Sequence, residues 1–238
     1  MIFSRLSHDE RAALHDYVAR ATWPTGFQVY ERGSPADGAF IVAHGSVILR
    51  SCVRPGRGFV PWIATPGETF GAEGLSPNSV YVTDARAEVE TETLFLSTAK
   101  LRAFIREQPA HALALLGQIM AERITLLEKL REIATLSVEQ RILAALQRIA
   151  TNEHYLDAMG RIEICSARYR LLCELVGATR DAVSIVVGRL ADEGFVERAG
   201  STFYVTPSPQ LYERLGAGEA GSAVSGLANR SRGESALR

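Results

Sequence analysis

The stretch Ser166-Ala167-Arg168-Tyr169-Arg170-Leu171-Leu172-Cys173-Glu174-Leu175-Val176-Gly177-Ala178-Thr179-Arg180-Asp181-Ala182-Val183-Ser184-Ile185-Val186-Val187-Gly188-Arg189-Leu190 decides how this chain is read. Gly177 tolerates the left-handed conformation that ends a helix, so the first helix stops there. Thr179 then caps a second. Leu172, Leu175, Val176, Val183, Val187 and Leu190 form an apolar seam between the two, with the small Cys173 where they approach. Arg180, Asp181 and Ser184 cluster at the start of the second helix, followed by Ile185. Arg168, Arg170 and Arg180 outweigh Glu174 in local charge. A plain pair of packed helices carries the same seam. What favours DNA is the order: Asp192-Glu193-Gly194 ends the pair, and Phe195–Arg198 and Thr202–Val205 flank the turn Ala199-Gly200-Ser201 as a hairpin. Helix, turn, helix and wing is a unit whose second helix enters the major groove.

Upstream, Ser137-Val138-Glu139-Gln140 carries capping-box residue types, with Gln140 at the reciprocal spacing. Before it the helical period runs from about residue 99 to Leu136. Beyond Pro109, Leu113, Leu116, Met120, Leu127, Leu130 and Ala134 recur at three-and-four spacing, interrupted by Arg123. A second stripe, Leu115, Ile119, Leu126 and Ile133, runs beside it. Two stripes ask for two partners: the chain's own β region and a second copy. A long helix packed inside one subunit is the alternative.

From Pro24 to Ser97 glycine recurs at short intervals between β-type runs such as Phe27–Tyr30, Ala39–Val42, Ser46–Leu49 and Thr93–Leu96, the pattern of a sandwich or barrel. Ser7 through Arg20 reads as one short helix. Glu88, Glu90 and Glu92 alternate as the solvated face of a strand. The expected organisation is 1–98 helix plus β domain, 99–136 dimerisation helix, 137–215 DNA-binding domain, and 216–238 a Gly, Ala, Ser and Arg-rich disordered tail.

Composition narrows the class. The chain has 238 residues, 47% hydrophobic and 22% charged, with a net charge of −1, so a DNA partner must meet a local patch rather than bulk charge. No apolar run approaches the ~18 residues of a membrane span, and the polar start at Met1–Arg11 is not a signal peptide. Cys52, Cys165 and Cys173 are too few and scattered for a disulfide framework, which suits a cytoplasmic protein. No Walker loop, HExxH, GxSxG or CxxC occurs, so no enzyme is indicated and no metal site is expected.

Over about residues 20–212 the chain resembles the cyclic AMP receptor protein and fumarate–nitrate regulator (Crp/Fnr) family of bacterial transcription factors. The matching segments are Gly33–Asp37, Phe40–Val47, Pro66–Gly71 and the Gly177–Ser184 reading segment. The resemblance implies an α+β fold. Its parts are an N-terminal double-stranded β-helix (jelly-roll) sensor, a long dimerisation helix and a C-terminal winged helix-turn-helix. It also implies a homodimer on palindromic double-stranded DNA, RNA polymerase as partner, and a small-molecule effector. Effector contacts would come from Gly71, Ala72, Glu73, Tyr81, Val82, Arg123 and Leu127. DNA contacts would come from Thr179, Arg180, Asp181, Ser184, Ile185, Arg168 and Arg170.

The departures weigh against the family's usual ligands. Where cyclic-AMP binders carry a ribose glutamate and then an Arg-Ser phosphate clamp, this chain has Glu73, shifted by one, and Tyr81-Val82. Without the arginine a buried phosphate lacks its bidentate partner. The adenine-facing pair falls near Leu126-Leu127-Glu128. An iron–sulfur cluster needs four cysteines, and the only haem-ligand candidate, His44, sits beside Gly45 in an expected turn. Cys165 and Cys173 read as structural rather than redox residues. The effector stays unidentified. A regulator with an empty β-roll, or a nucleotide-binding module serving a partner protein, are the competing readings.

Overall fold

A computed structural model describes residues 8–54 and 57–216, which divide into two compact units, 1–134 and 135–238. Of the expected tail, Gly216 ends the last helix and the rest, 217–238, lies outside the described residues. In the first unit, α1 (His8–His15) leads into ten strands: β1 (Ala19–Trp23), β2 (Gln28–Tyr30), β3 (Pro35–Ala36), β4 (Gly38–His44), β5 (Val47–Arg54), β6 (Arg57–Ala64), β7 (Thr69–Phe70), β8 (Ser79–Val80), β9 (Asp84–Ala87) and β10 (Thr91–Ser97). They form antiparallel sheets in the orders β1-β10-β4-β7 and β2-β9-β5-β6, plus the small pair β3-β8. A strand's side chains alternate between faces, and that period of two sorts the core. Phe40, Val42 and Phe95 join Val47, Leu49, Trp62 and Ala85 in one cluster shared by both sheets. Ile41, Leu94 and Leu96, the residues between, pack with Leu14 of α1, Leu101 and Phe104 of α2 (Thr98–Glu107), and Ala112 and Leu115 of α3 (Pro109–Thr135).

Three expectations change here. The helix expected over Ser7–Arg20 stops at His15, because the next segment pairs as a strand, Arg20 opposite Leu94, while Tyr17 and Val18 still reach the outer cluster. The single helix expected from 99 to 136 is broken at Gln108, which leaves helical geometry before Pro109 starts α3. Proline lacks the N–H a continuous helix needs but suits a first turn. Glu88 and Glu90 lie in the β9–β10 turn rather than on a strand, and Glu88 accepts from the Ser46 hydroxyl (3.0 Å).

The second stripe of α3 is only half used. Leu115 is buried and Ile119 packs beside it, but Leu126 and Ile133 are exposed, because the outer cluster ends at the helix's first turns. Leu113, Leu116, Met120, Leu127 and Leu130 are exposed along α3.

The second unit contains α4 (Val138–Ile149), β11 (Ile162–Ile164), α5 (Ser166–Val176), α6 (Arg180–Asp192), β12 (Val196–Ala199), β13 (Thr202–Val205) and α7 (Pro209–Gly216). The Ser137 hydroxyl accepts from the Gln140 N–H while the Gln140 side chain accepts from the Ser137 N–H, closing the capping box at the expected spacing. The hairpin β12–β13 gains a third strand, β11, paired with β13 and not among the elements expected from the sequence.

Candidate nucleic-acid interface

The turn between α5 and α6 is built from three local devices. Gly177 is left-handed (φ 65°, ψ 38°), so its N–H and that of Ala178 both reach the Cys173 carbonyl, at 2.9 and 3.2 Å. The Thr179 hydroxyl accepts from the Ala182 N–H (3.3 Å) and starts α6. Arg141 of α4 donates to the Val176 carbonyl at 2.7 Å, placing a cation on the C-terminal carbonyls of α5. Sequence reasoning missed Arg141, since nothing local announces a contact 35 residues away. Leu172, Leu175, Val176, Val183, Val187 and Leu190 are buried, fixing the crossing of the two helices.

That packing leaves Arg180, Asp181, Ser184 and Ile185 exposed together on the first turns of α6. Ile185 is 74% exposed, a large apolar side chain with nothing in its own unit to cover it. The Arg180 guanidinium lies 5.7 Å from the centre of the Tyr169 ring. Burial pushes the Tyr169 phenol up, and pushes the Cys173 thiol up against the nearby Arg180 charge.

Two of the expected DNA contacts have internal work. Arg168 donates to the carbonyls of His154 (2.9 Å) and Glu163 (3.0 Å) and lies over the Tyr155 ring, so its guanidinium holds the segment before α5 together. Thr179 is occupied as the cap. Arg170 is exposed on α5.

In the first unit the structure brings Gly71, Ala72, Glu73, Tyr81 and Val82 into one neighbourhood. A 3-10 turn over Ala72–Leu75 follows Gly71, and Glu73 Oε1 accepts from the Val82 N–H at 3.4 Å. Arg123 and Leu127, on α3, are exposed, and among the described residues Glu73 forms no ion pair with Arg123. Tyr81 is buried, its ring stacked on Tyr30 (centroids 3.8 Å, 10° apart), with Phe40 and Phe70 beside them. Burial, aided by the charges of Asp37 and Glu73, raises the Tyr81 phenol to about 12, so it is neutral at physiological pH. A cyclic phosphate requires charge-assisted donors. A neutral buried ring and the Val82 isopropyl group supply no cation, so the residues here do not fit a phosphate clamp. His44 ends β4, exposed. Among the described residues no cluster of metal-ligating side chains occurs and no helix is long and apolar enough to cross a membrane.

Known proteins give this geometry a context. Residues 21–108 match the cyclic nucleotide-binding domain model. The cyclic AMP receptor protein of Thermus thermophilus is 30% identical over 214 residues, covering 89% of this chain and 95% of its own. The chain belongs to the Crp/Fnr family. It is therefore a transcription regulator and not an enzyme. Another Crp/Fnr relative, the CRP-like cAMP-activated global transcriptional regulator of Mycobacterium tuberculosis, is 23% identical over 219 residues, 90% of this chain and 95% of that one. Among solved structures, the c-di-GMP responsive regulator CLP of Xanthomonas campestris shares the Crp/Fnr fold with a TM-score of 0.71 at 20% identity, covering 85% of this chain and all of that one.

Proposed function

We propose that this protein is a homodimeric, sequence-specific DNA-binding regulator. The two units are a β-roll sensor ending in the dimerisation helix α3 and a winged helix-turn-helix. In the latter, α6 enters the major groove and β12–β13 is the wing. The exposed set on α6 carries this reading: Arg180, Asp181, Ser184 and Ile185 lie together on a helix whose opposite face, Val183, Val186, Val187 and Leu190, is buried against α4, α5 and β12. Arg180 matches the O6 and N7 acceptors of guanine, Asp181 accepts from a cytosine amino group, and Ile185 covers a thymine methyl. A module that only regulates a partner enzyme has no use for such a face. The exposed stripe Leu113, Leu116, Met120, Leu127 and Leu130 supports dimerisation through α3, hence a palindromic operator with half-sites about one helical turn apart.

A randomised-site selection tests this. Arg180→Ala should cost about 1–3 kcal/mol per half-site and relax choice at one base pair. Arg170→Ala, at a phosphate contact, should weaken all sequences alike and flatten the salt dependence. An unchanged preferred sequence in Arg180→Ala would mean that α6 is not the reading helix.

The signal differs from cyclic AMP held as in the family's clamp, because Tyr81 and Val82 stand at that place. The aromatic filling of the roll also favours a second reading, regulation by abundance with no effector. Calorimetry separates cyclic AMP binding at micromolar affinity, which would overturn both, from no heat.

A further inference from the structure

The side chains around Arg180 continue beyond it. Arg198 of β12 lies 5.6 Å over the Phe203 ring of β13, Phe203 lies 5.8 Å from Tyr169 of α5 at 33°, and Tyr169 lies 5.7 Å from the Arg180 guanidinium. The two aromatic rings are half-buried or buried, whereas both arginines are exposed. The series runs cation, ring, ring, cation, from the wing to the first turn of α6. A long exposed arginine samples many rotamers, and holding it against a ring face lowers what it must lose on binding. Arg198 is steadied further by donating to the Gly200 carbonyl (3.2 Å) at the wing's tip.

We propose that Tyr169 and Phe203 are positioning residues for DNA reading: an aromatic bridge that pre-orients Arg180 toward its base and Arg198 toward a backbone phosphate. This rests on the DNA-binding reading above and adds Arg198 to the interface.

The test uses the full chain on its selected operator and on single-base variants, with folding followed by circular dichroism. Tyr169→Leu should lower discrimination at the Arg180 base pair by about two- to fivefold per half-site, the size of an exposed cation–π contact, while affinity for random DNA stays unchanged. Tyr169→Phe keeps the ring and should restore that discrimination. In an Arg180→Ala background Tyr169→Leu should add nothing at that base pair, because it acts through Arg180. Arg198→Ala should reduce the salt slope by about one per half-site and leave sequence choice alone. If Tyr169→Leu does not fold, Phe203→Leu carries the same arms one ring further out, with the loss expected at Arg198's salt slope. Arg180→Ala altering the selected sequence while Tyr169→Leu or Phe203→Leu leaves both readouts at wild-type values overturns the bridge alone. A wild-type chain that selects no sequence overturns the reading beneath it.

Discussion

Replacing Leu127 and Leu130 together with glutamate attacks the proposed dimer seam directly. In the isolated chain these side chains are 61% and 63% exposed, so most of their apolar surface is still available for a second copy to cover. Full burial of a leucine stabilises by about 1.5–3 kcal/mol, so covering the exposed part of each is worth about 1–2 kcal/mol. A two-fold interface uses both residues twice, and the double variant therefore removes about 4–8 kcal/mol of association energy. At 1.4 kcal/mol per decade that raises the dimer dissociation constant by about three to six decades. Unpaired carboxylates placed in the seam add to the loss. The protomer itself should keep its fold, because neither leucine belongs to the clusters that pack α3 onto the sheet. Light scattering on the eluting protein at micromolar concentration, with circular dichroism as the control, reads the outcome. A folded double variant that remains dimeric would refute α3 as the interface.

Arg141→Met keeps much of the stem but removes the charged donor from the Val176 carbonyl, and should cost the second unit about 1.5–3 kcal/mol in urea unfolding. Gly71→Ala should cost at least about 1–2 kcal/mol, because Gly71 sits at φ 71° and an added Cβ would lie 3.1 Å from both the Tyr30 and Tyr81 rings; an unshifted urea midpoint would contradict this packing. Glu107 is held below its ordinary 4.5 first by the hydrogen bond from Tyr17 (2.8 Å) and then by Arg106. With its folded value depressed, the bond contributes above pH 4.5 and is lost as pH falls through the lowered value, so Tyr17→Phe should move the Glu107 carboxyl titration upward by NMR.

The reading segment was legible because its signals are local. Gly177 as a stop, Thr179 as a cap and the Ser137–Gln140 box each depend on residues within a turn of one another, and each is present as expected. The hairpin followed from its turn for the same reason, although its first strand, expected over Phe195–Arg198, runs one residue later, Val196–Ala199, with Ala199 paired to Thr202. Elements whose conformation depends on distant pairing were not legible. Ile162–Ile164 is too short to show a period and becomes a strand only because β13 offers it an edge. Arg20 reads as helical until β10 pairs with it.

By itself, then, the sequence determined the family, the ends of the helix pair α5–α6, the start of α4 and the identity of the side chains proposed to meet DNA, because capping and turn signals are written in near neighbours. Only the tertiary structure decided how those side chains are used. It assigned Arg168 to the carbonyls of His154 and Glu163, set Arg180 over Tyr169, and filled the space beside Gly71 with the Tyr30–Tyr81 stack. The physical reason is that a side chain's partners are chosen by packing across residues far apart in the chain, and burial fixes whether a polar group turns inward to the scaffold or is left exposed for a ligand.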